Sequence, residues 1–503
     1  MANPQPAKKG YFFEQGFIDI RNVVKTTFAQ IRDTIDEHKE ELDSASKWAM
    51  SFHISVIVSV WVFGGAVSLL ISALHSIVNF TIMLFYYVLF FIVLLIDRTY
   101  LLIKKISISC RVCKAQYMYP IYVCPNCEAK HDRLTPSIYG AFRRTCNCGY
   151  RLPTSILNFT DKRADLRAYC PECARAGYEE ELSIGESMSR PFCVPVIGGP
   201  SVGKSAFITA YANLFVDTIS LDKDIEVDFY NLDIEDDFAE KKKFFRYGQI
   251  MKTAVQTDLH LASSIAFSFF INHPSLNPAR LVHIYDIAGE SFLNGANETQ
   301  KQYDYCDGFV LVLDPFSIPE VMSRFGHQLN STDLGGTSAE HIDSMMENFI
   351  LTLENTTKLS KNKILSTPLA VVLNKVDEAA LDLIIGDAAV ARARASYPSI
   401  FTNDFDTMDF LCREFLRKVD MEDVLAHIQQ NFKNTRFFAT SAIGHTLNLG
   451  RYNPHNVVEV FDWIFSNSAD KELASVVTST RFSNNKLPIK AGVELIDFEE
   501  VVI

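Results

Sequence analysis

Charged side chains are missing from one long stretch of this 503-residue chain. From Trp48 to Ile96 there is no Asp, Glu, Lys or Arg, a run of 49 residues, where one helical crossing of a bilayer takes about 20. The run starts too late and continues too long to be a cleaved signal peptide. A buried hairpin in a soluble core is the competing reading, but soluble cores rarely hold two charge-free helices in succession. Basic residues are also short: 48 Lys and Arg stand against 60 Asp and Glu, for a net charge of −12. That balance argues against nonspecific nucleic-acid binding by the whole chain and leaves room only for a local basic patch. Internal repeats and low-complexity tracts are absent too, which excludes solenoids and arrays. What is left is enough chain for about three domains, unusually rich in Phe, with 38.

The uncharged run reads as two helices, near 51–74 and 77–103, joined by a tight turn around His75–Asn79. Residues 48–103 are thus expected to form a transmembrane helical hairpin. Lys8, Lys9, Arg21, Lys25, Arg32, Lys39 and Lys47 precede it, and Arg98, Lys104, Lys105, Arg111 and Lys114 follow it. The turn carries no charge, so the positive-inside rule puts both ends in the cytoplasm, with two spans and almost nothing on the far side. In residues 1–47, Phe17, Ile20, Val24, Phe28, Ile31 and Ile35 recur at spacings of three and four, the signature of an amphipathic helix. Such a helix packs on its own protein, lies on the bilayer surface or forms a self-association stripe.

Eight of the eleven cysteines lie in four close pairs within residues 104–187: Cys110 and Cys113, Cys124 and Cys127, Cys146 and Cys148, Cys170 and Cys173. Two residues between thiols let both converge on one ion, and two such knuckles complete a tetrahedral site suited to Zn²⁺. Disulfides are disfavoured in a reducing cytoplasm. Two structural Zn²⁺ ions are therefore expected, in a double zinc ribbon. The pairing is open between sequential and cross-braced. Sequential closure is preferred because short hairpins favour local loops. His131 could replace a ligand, but a lone histidine is more often on the surface and four thiolates per site suffice; Cys193, Cys306 and Cys412 read as ordinary buried thiols.

Gly198-Gly199-Pro200-Ser201-Val202-Gly203-Lys204-Ser205 matches the phosphate-loop pattern at every required position. Small residues let consecutive N–H groups face a polyphosphate, Lys204 reaches the β- and γ-phosphates, and Ser205 holds Mg²⁺. A buried strand precedes the loop over 192–197 and a helix follows over 206–215. A second strand, 281–286, runs into Ile287-Ala288-Gly289-Glu290. There Asp286 is suited to hold Mg²⁺ through water, and the Gly289 N–H to meet the γ-phosphate. A third occupies 309–314, and a fourth, 368–373, leads to Asn374-Lys375-Val376-Asp377. Asp377 can accept the N1–H and N2 amine of guanine, a donor pair adenine lacks, while Lys375 lies along the base. A fifth strand ends at Thr440-Ser441-Ala442, where a backbone N–H of Ser441 or Ala442 can meet guanine O6.

With these motifs in this order, residues 192–467 resemble a GTPase of the TRAFAC class of P-loop proteins. The cysteine block more loosely resembles that of bacterial membrane-anchored GTPases with double zinc ribbons, which implies the bacterial inner membrane. The resemblance implies an α/β fold with a doubly wound sheet in residues 188–467, binding of GTP or GDP with Mg²⁺, and hydrolysis by in-line attack of water. Many members follow the DxxG glycine with Gln; this chain has Glu290, which adds negative charge near the γ-phosphate and predicts slow hydrolysis. The switch threonine falls in the long stretch after the loop helix: Thr253 is preferred, with Thr257 and Thr218 as alternatives. Lys204, Gly289, Glu290 and Thr253 are thus the catalytic candidates. The charged stretch 235–243 reads as a solvated helix face, with a sharper alternative in which a Lys there, or Arg246, acts on a neighbouring molecule. Residues 468–503 are expected to form a tail outside the domain.

Three functions fit: a membrane-anchored GTPase switch, an adaptor that holds GTP without useful turnover, and a GTP-controlled effector that remodels or permeabilises a bilayer. The expected partners are GTP, a lipid bilayer, and either a second copy or a protein effector.

Overall fold

The computed structural model describes residues 5–157, 162–246, 266–287, 301–329, 342–356, 365–444 and 452–483. It divides into two compact units, Met1–Lys105 with Met118–Pro171, and Ile106–Tyr117 with Glu172–Ile503.

The first unit contains two long helices, α1 (Gln15–Leu42) and α2 (Lys47–Ile103). The expected turn at 75–79 does not form: residues 65–103 are one unbroken helix, and the only irregularity is a π-helical turn at Val60–Gly64. The physical reason lies in the composition. Residues 75–79 hold no Gly or Pro, so nothing removes an i→i−4 hydrogen bond or opens the left-handed region there. The chain reverses instead at 43–46, between α1 and α2.

Among the three readings of the amphipathic helix, the structure shows packing on its own unit. α1 runs antiparallel along α2. Phe13, just before α1, meets Phe90 at 5.5 Å between ring centroids. A Cβ at Gly16 would lie 3.2 Å from Asn79 Oδ1, and one at Gly64 would lie 3.4 Å from Ile31. Ile35 is buried, whereas Phe17 and Phe28 face outward. The first charge after the uncharged run, Asp97, is wholly buried and pairs with Arg163 at 2.7 Å, while also accepting from the Ile156 N–H. Its small strands are Ile121–Val123, paired with both Lys130–Asp132 and Ala168–Tyr169, and the hairpin of Arg143–Thr145 with Arg151–Pro153.

The second unit is built on a seven-stranded sheet. In chain order its strands are β1 (Arg190–Ile197), β2 (Glu226–Phe229), β3 (Ala266–Asn272), β4 (Arg280–Asp286), β5 (Phe309–Leu313), β6 (Leu369–Leu373) and β7 (Thr435–Ala439). The spatial order is β2-β3-β4-β1-β5-β6-β7. β4, β1, β5, β6 and β7 are parallel, and β2 and β3 add antiparallel at one edge. The helices used below are α3 (Lys204–Leu214), α4 (Leu232–Arg246), α5 (Ile342–Thr356), α6 (Asp404–Lys418), α7 (Val457–Asn467) and α8 (Lys471–Val477).

Both faces of the sheet are covered, which is why its parallel strands read as continuous apolar runs rather than alternating ones. Ile197, Leu311, Leu313 and Phe437 point to the side covered by α5 and α6, while Val194, Val196, Val310 and Phe438 point to the side covered by α3 and α7. On that second side Tyr211 of α3 stacks on Phe461 of α7 at 3.8 Å. α8 belongs to the same core through Leu473 and Val477, so residues 468–477 close the domain rather than trail from it. α4 has a solvated face, with Lys241 paired to Asp237 and Lys242 to Asp217, and buries Ile234 and Phe238 on the other.

Candidate functional site

The carboxyl ends of the parallel strands bring the 198–205 loop, Asp286, residues 374–377 and residues 440–442 to one edge. β1 ends at Ile197, and the chain enters the 198–205 loop through Gly198. A Cβ there would lie 2.4 Å from the Val312 carbonyl of β5, so only glycine fits. Gly203 has φ +91°, and a Cβ on it would meet the Asn374 side chain at 2.6 Å; the loop is thus shaped by glycine at both ends. Lys204 begins α3 and folds back. Its buried ammonium donates to the carbonyls of Gly198 at 2.8 Å and Gly199 at 2.6 Å.

Ser205, in the first turn of α3, donates its hydroxyl to a carboxylate oxygen of Asp286, the last residue of β4. Hydroxyl and carboxylate oxygens are the hard donors Mg²⁺ takes, usually one or two from the protein beside waters and phosphates. The two side chains fit that ion.

Asn374 is the joint of the site. Nearly inaccessible, it donates through Nδ2 to the Val202 carbonyl at 3.0 Å and accepts the Thr440 hydroxyl at 3.2 Å. Its neighbour Lys375 donates to the Ser201 carbonyl at 2.9 Å and to the buried Asp314 carboxylate at 2.6 Å. The loop after β1 and the loops after β5, β6 and β7 are therefore stitched together by these side chains, and the Val376 N–H adds a backbone bond to the Thr440 carbonyl at 3.2 Å. Asp314 and Thr440 had no role in the sequence reading; the available signal was a polar residue terminating an apolar strand, directly after 309–313 and 435–439.

Asp377 is half-buried and makes no hydrogen bond or ion pair among the described residues. The Ser441 N–H is already engaged by the His455 carbonyl at 3.2 Å, and Ala442 beside it is buried. Pro200 is half-exposed beside the buried Val202. Thr253, Thr257, Gly289 and Glu290 lie outside the described residues.

The eight paired cysteines form two clusters, Cys110, Cys113, Cys170 and Cys173, and Cys124, Cys127, Cys146 and Cys148, each with its sulfurs within 4.8 Å of one another. The preferred sequential pairing is thus replaced by a nested one, and the cross-brace is not formed either. Strand pairing explains it: Ile121–Val123 pairs with Ala168–Tyr169, which runs directly into Cys170. Each doubling of loop length costs only about 0.6 kcal/mol, too little to oppose that pairing. Sulfur separations of 3.7 Å for Cys110–Cys173, 3.7 Å for Cys124–Cys148 and 3.5 Å for Cys127–Cys146 approach the edge of a tetrahedron with Zn–S bonds of about 2.3 Å, which is about 3.8 Å. The donor sets fit zinc. In the second cluster the Asn126 side chain and the Tyr150 N–H bring Cys148 down to about 6, while burial pushes Cys146 up to about 12.

His131 is not on the surface. It is fully buried, joins neither cluster, and both ring nitrogens lack a partner among the described residues. Burial, then the charge of Arg144, pushes its pKa down to about 4.

No protein-family model matches the chain, and no curated protein does. Among solved structures it is similar to the Arl6 (BBS3) small GTPase from Trypanosoma brucei with bound nucleotide analogue GppNp, at 13% identity and a TM-score of 0.25, covering 57% of this chain and 99% of that one.

Proposed function

We propose that this chain is a guanine-nucleotide switch, attached to a membrane through α2, that binds GTP with Mg²⁺ and turns it over slowly. One observation carries the reading: Asn374 and Lys375 tie the 198–205 loop to the strand ends that hold Asp314, Asp377 and Thr440. A polyphosphate in the loop and a purine beside Asp377 would then be gripped by one continuous polar frame.

In this reading Lys204 exchanges its two carbonyl partners for the β- and γ-phosphates, and the loop N–H groups complete the cradle. Ser205 and Asp286 would hold Mg²⁺, which neutralises charge on the phosphate oxygens. The free Asp377 carboxylate accepts from N1 and N2 of guanine, and adenine would leave it desolvated and unpaired. Ala442 donates to O6. Glu290 stands where a neutral glutamine is usual in the resembling family, so hydrolysis is slow. An adaptor that never turns GTP over is the second reading favoured by the same residue, and single-turnover phosphate release separates the two.

Membrane attachment is supported by the surface of α2. Its most apolar stretch is only 17% buried, and Trp61, Phe63, Leu69, Leu70, Ile71 and Phe85 are all exposed. An apolar surface of that extent marks an interaction site. The charge-free run is about 73 Å long as a helix, against about 30 Å of hydrocarbon. α1, with its charged outer face, accompanies it. A hairpin lying partly in the bilayer interface accommodates both facts.

The deciding experiment is nucleotide competition on the full chain in mild detergent. Wild type should prefer GTP over ATP and XTP, and Asp377→Asn should shift the preference to XTP. Equal affinity of wild type for ATP and GTP defeats the guanine reading.

A further inference from the structure

We propose a further metal site, for a divalent transition ion, at the tip of the α1–α2 hairpin, formed by His38, Glu41 and His53. It is independent of the nucleotide site and of both cysteine clusters. His38 and Glu41 lie one turn apart near the end of α1, and His53 lies in the second turn of α2, across the reversal at 43–46.

The three ligand atoms form a triangle. His38 Nδ1 is 3.0 Å from His53 Nδ1, and the same Glu41 oxygen, Oε2, is 3.5 Å from the first and 3.3 Å from the second. A tetrahedral ion with bonds of about 2.0–2.1 Å requires ligand atoms about 3.3 Å apart. The triangle is therefore one face of such a tetrahedron, with the fourth corner free for water. The same test applied to the cysteine clusters gives the same agreement with longer, sulfur-sized edges.

Hydrogen bonding alone accounts for the arrangement less well. With both imidazoles neutral, each Nδ1 offers either one proton or one lone pair. With one Nδ1–H between them, one acceptor–acceptor approach is left uncompensated; with two, both can donate to Glu41 but the N–H groups face each other at 3.0 Å. With both rings protonated, two positive Nδ1–H groups would face each other at 3.0 Å. A central cation satisfies all three lone pairs at once. Two imidazoles and one carboxylate suit Zn²⁺ and its neighbours in the transition series rather than Mg²⁺ or Ca²⁺. The side chains of His53 and His38 are 14% and 23% exposed, and that of Glu41 is 56% exposed, so the site is sheltered yet reachable from solvent. A bound ion would join the end of α1 to the start of α2, pinning the amphipathic helix onto the apolar one.

The test uses the full chain in mild detergent, equilibrated with low-micromolar free Zn²⁺, with metal per chain measured for wild type, Glu41→Gln and His38→Ala/His53→Ala. The double variant should hold one equivalent fewer than wild type while still binding nucleotide, and Glu41→Gln should bind that equivalent at least tenfold more weakly. Replacing Zn²⁺ by Co²⁺ should add visible bands free of thiolate charge transfer, lost only in the double variant. In hydrogen exchange, Zn²⁺ should protect amides around 38–53 in wild type alone. Equal metal content in wild type and double variant, or no Zn²⁺-dependent protection in wild type, overturns the proposal.

Discussion

Asn374 donates its side-chain N–H to the Val202 carbonyl at 3.0 Å across 172 residues of sequence. Its own oxygen receives the Thr440 hydroxyl, so a single amide spans two loops. Removing it strands a buried carbonyl and a buried hydroxyl, at about 1–3 kcal/mol. Asn374→Ala should lower nucleotide affinity by roughly 10- to 100-fold, read by titration with a fluorescent GDP analogue. Asp314→Asn should act less strongly, because Lys375 keeps the Ser201 carbonyl.

Arg280 and Arg190 begin adjacent parallel strands in register, two like charges side by side. Asp470 resolves the conflict: it pairs with Arg280 at 2.6 Å and Arg190 at 3.2 Å, and caps α8 through the Leu473 N–H. Breaking a buried pair by deleting one partner costs about 3–5 kcal/mol. Asp470→Ala should lower the denaturant midpoint of this unit accordingly, and Asp470→Glu should lower it less.

His283 is buried on β4, with Ser268 Oγ 2.8 Å from its Nδ1. Burial, then the charge of Arg111, pushes its pKa down to about 3 from 6.5. The unfolded chain therefore binds a proton below pH 6.5 that the folded chain refuses. The stability contributed by neutral His283 is complete above pH 6.5 and is lost as the pH falls towards 3. The slope approaches about 1.4 kcal/mol per pH unit. Unfolding curves between pH 7 and 4 should show it, and His283→Leu should flatten it by one proton's worth.

The nested cysteine pairing separates cleanly from the sequential alternative by metal content. Cys110→Ser/Cys170→Ser touches a single cluster in the observed arrangement, so the variant should lose one Zn²⁺ relative to wild type. Sequential pairing would put those residues in different sites and remove two. Metal content after size exclusion decides it.

The sequence by itself determined whatever depends on short spacing or on local chemistry. The glycine-shaped 198–205 loop, the apolar strands ending in Asp286, Asn374 and Thr440, the cysteine pairs and the amphipathic helix were all legible, because each is a pattern of short spacings. The tertiary structure decided everything that depends on which distant segments meet. It laid α1 antiparallel along α2, with Gly16 against Asn79 and Gly64 against Ile31. It nested the two cysteine clusters, because strand pairing outweighs a slowly growing loop entropy. It drew α8 into the core through a carboxylate that two in-register arginines require, and it made Asp314 the partner of Lys375. Pairings of this kind are set by burial and by the satisfaction of buried charge, and neither has a signature in a linear pattern.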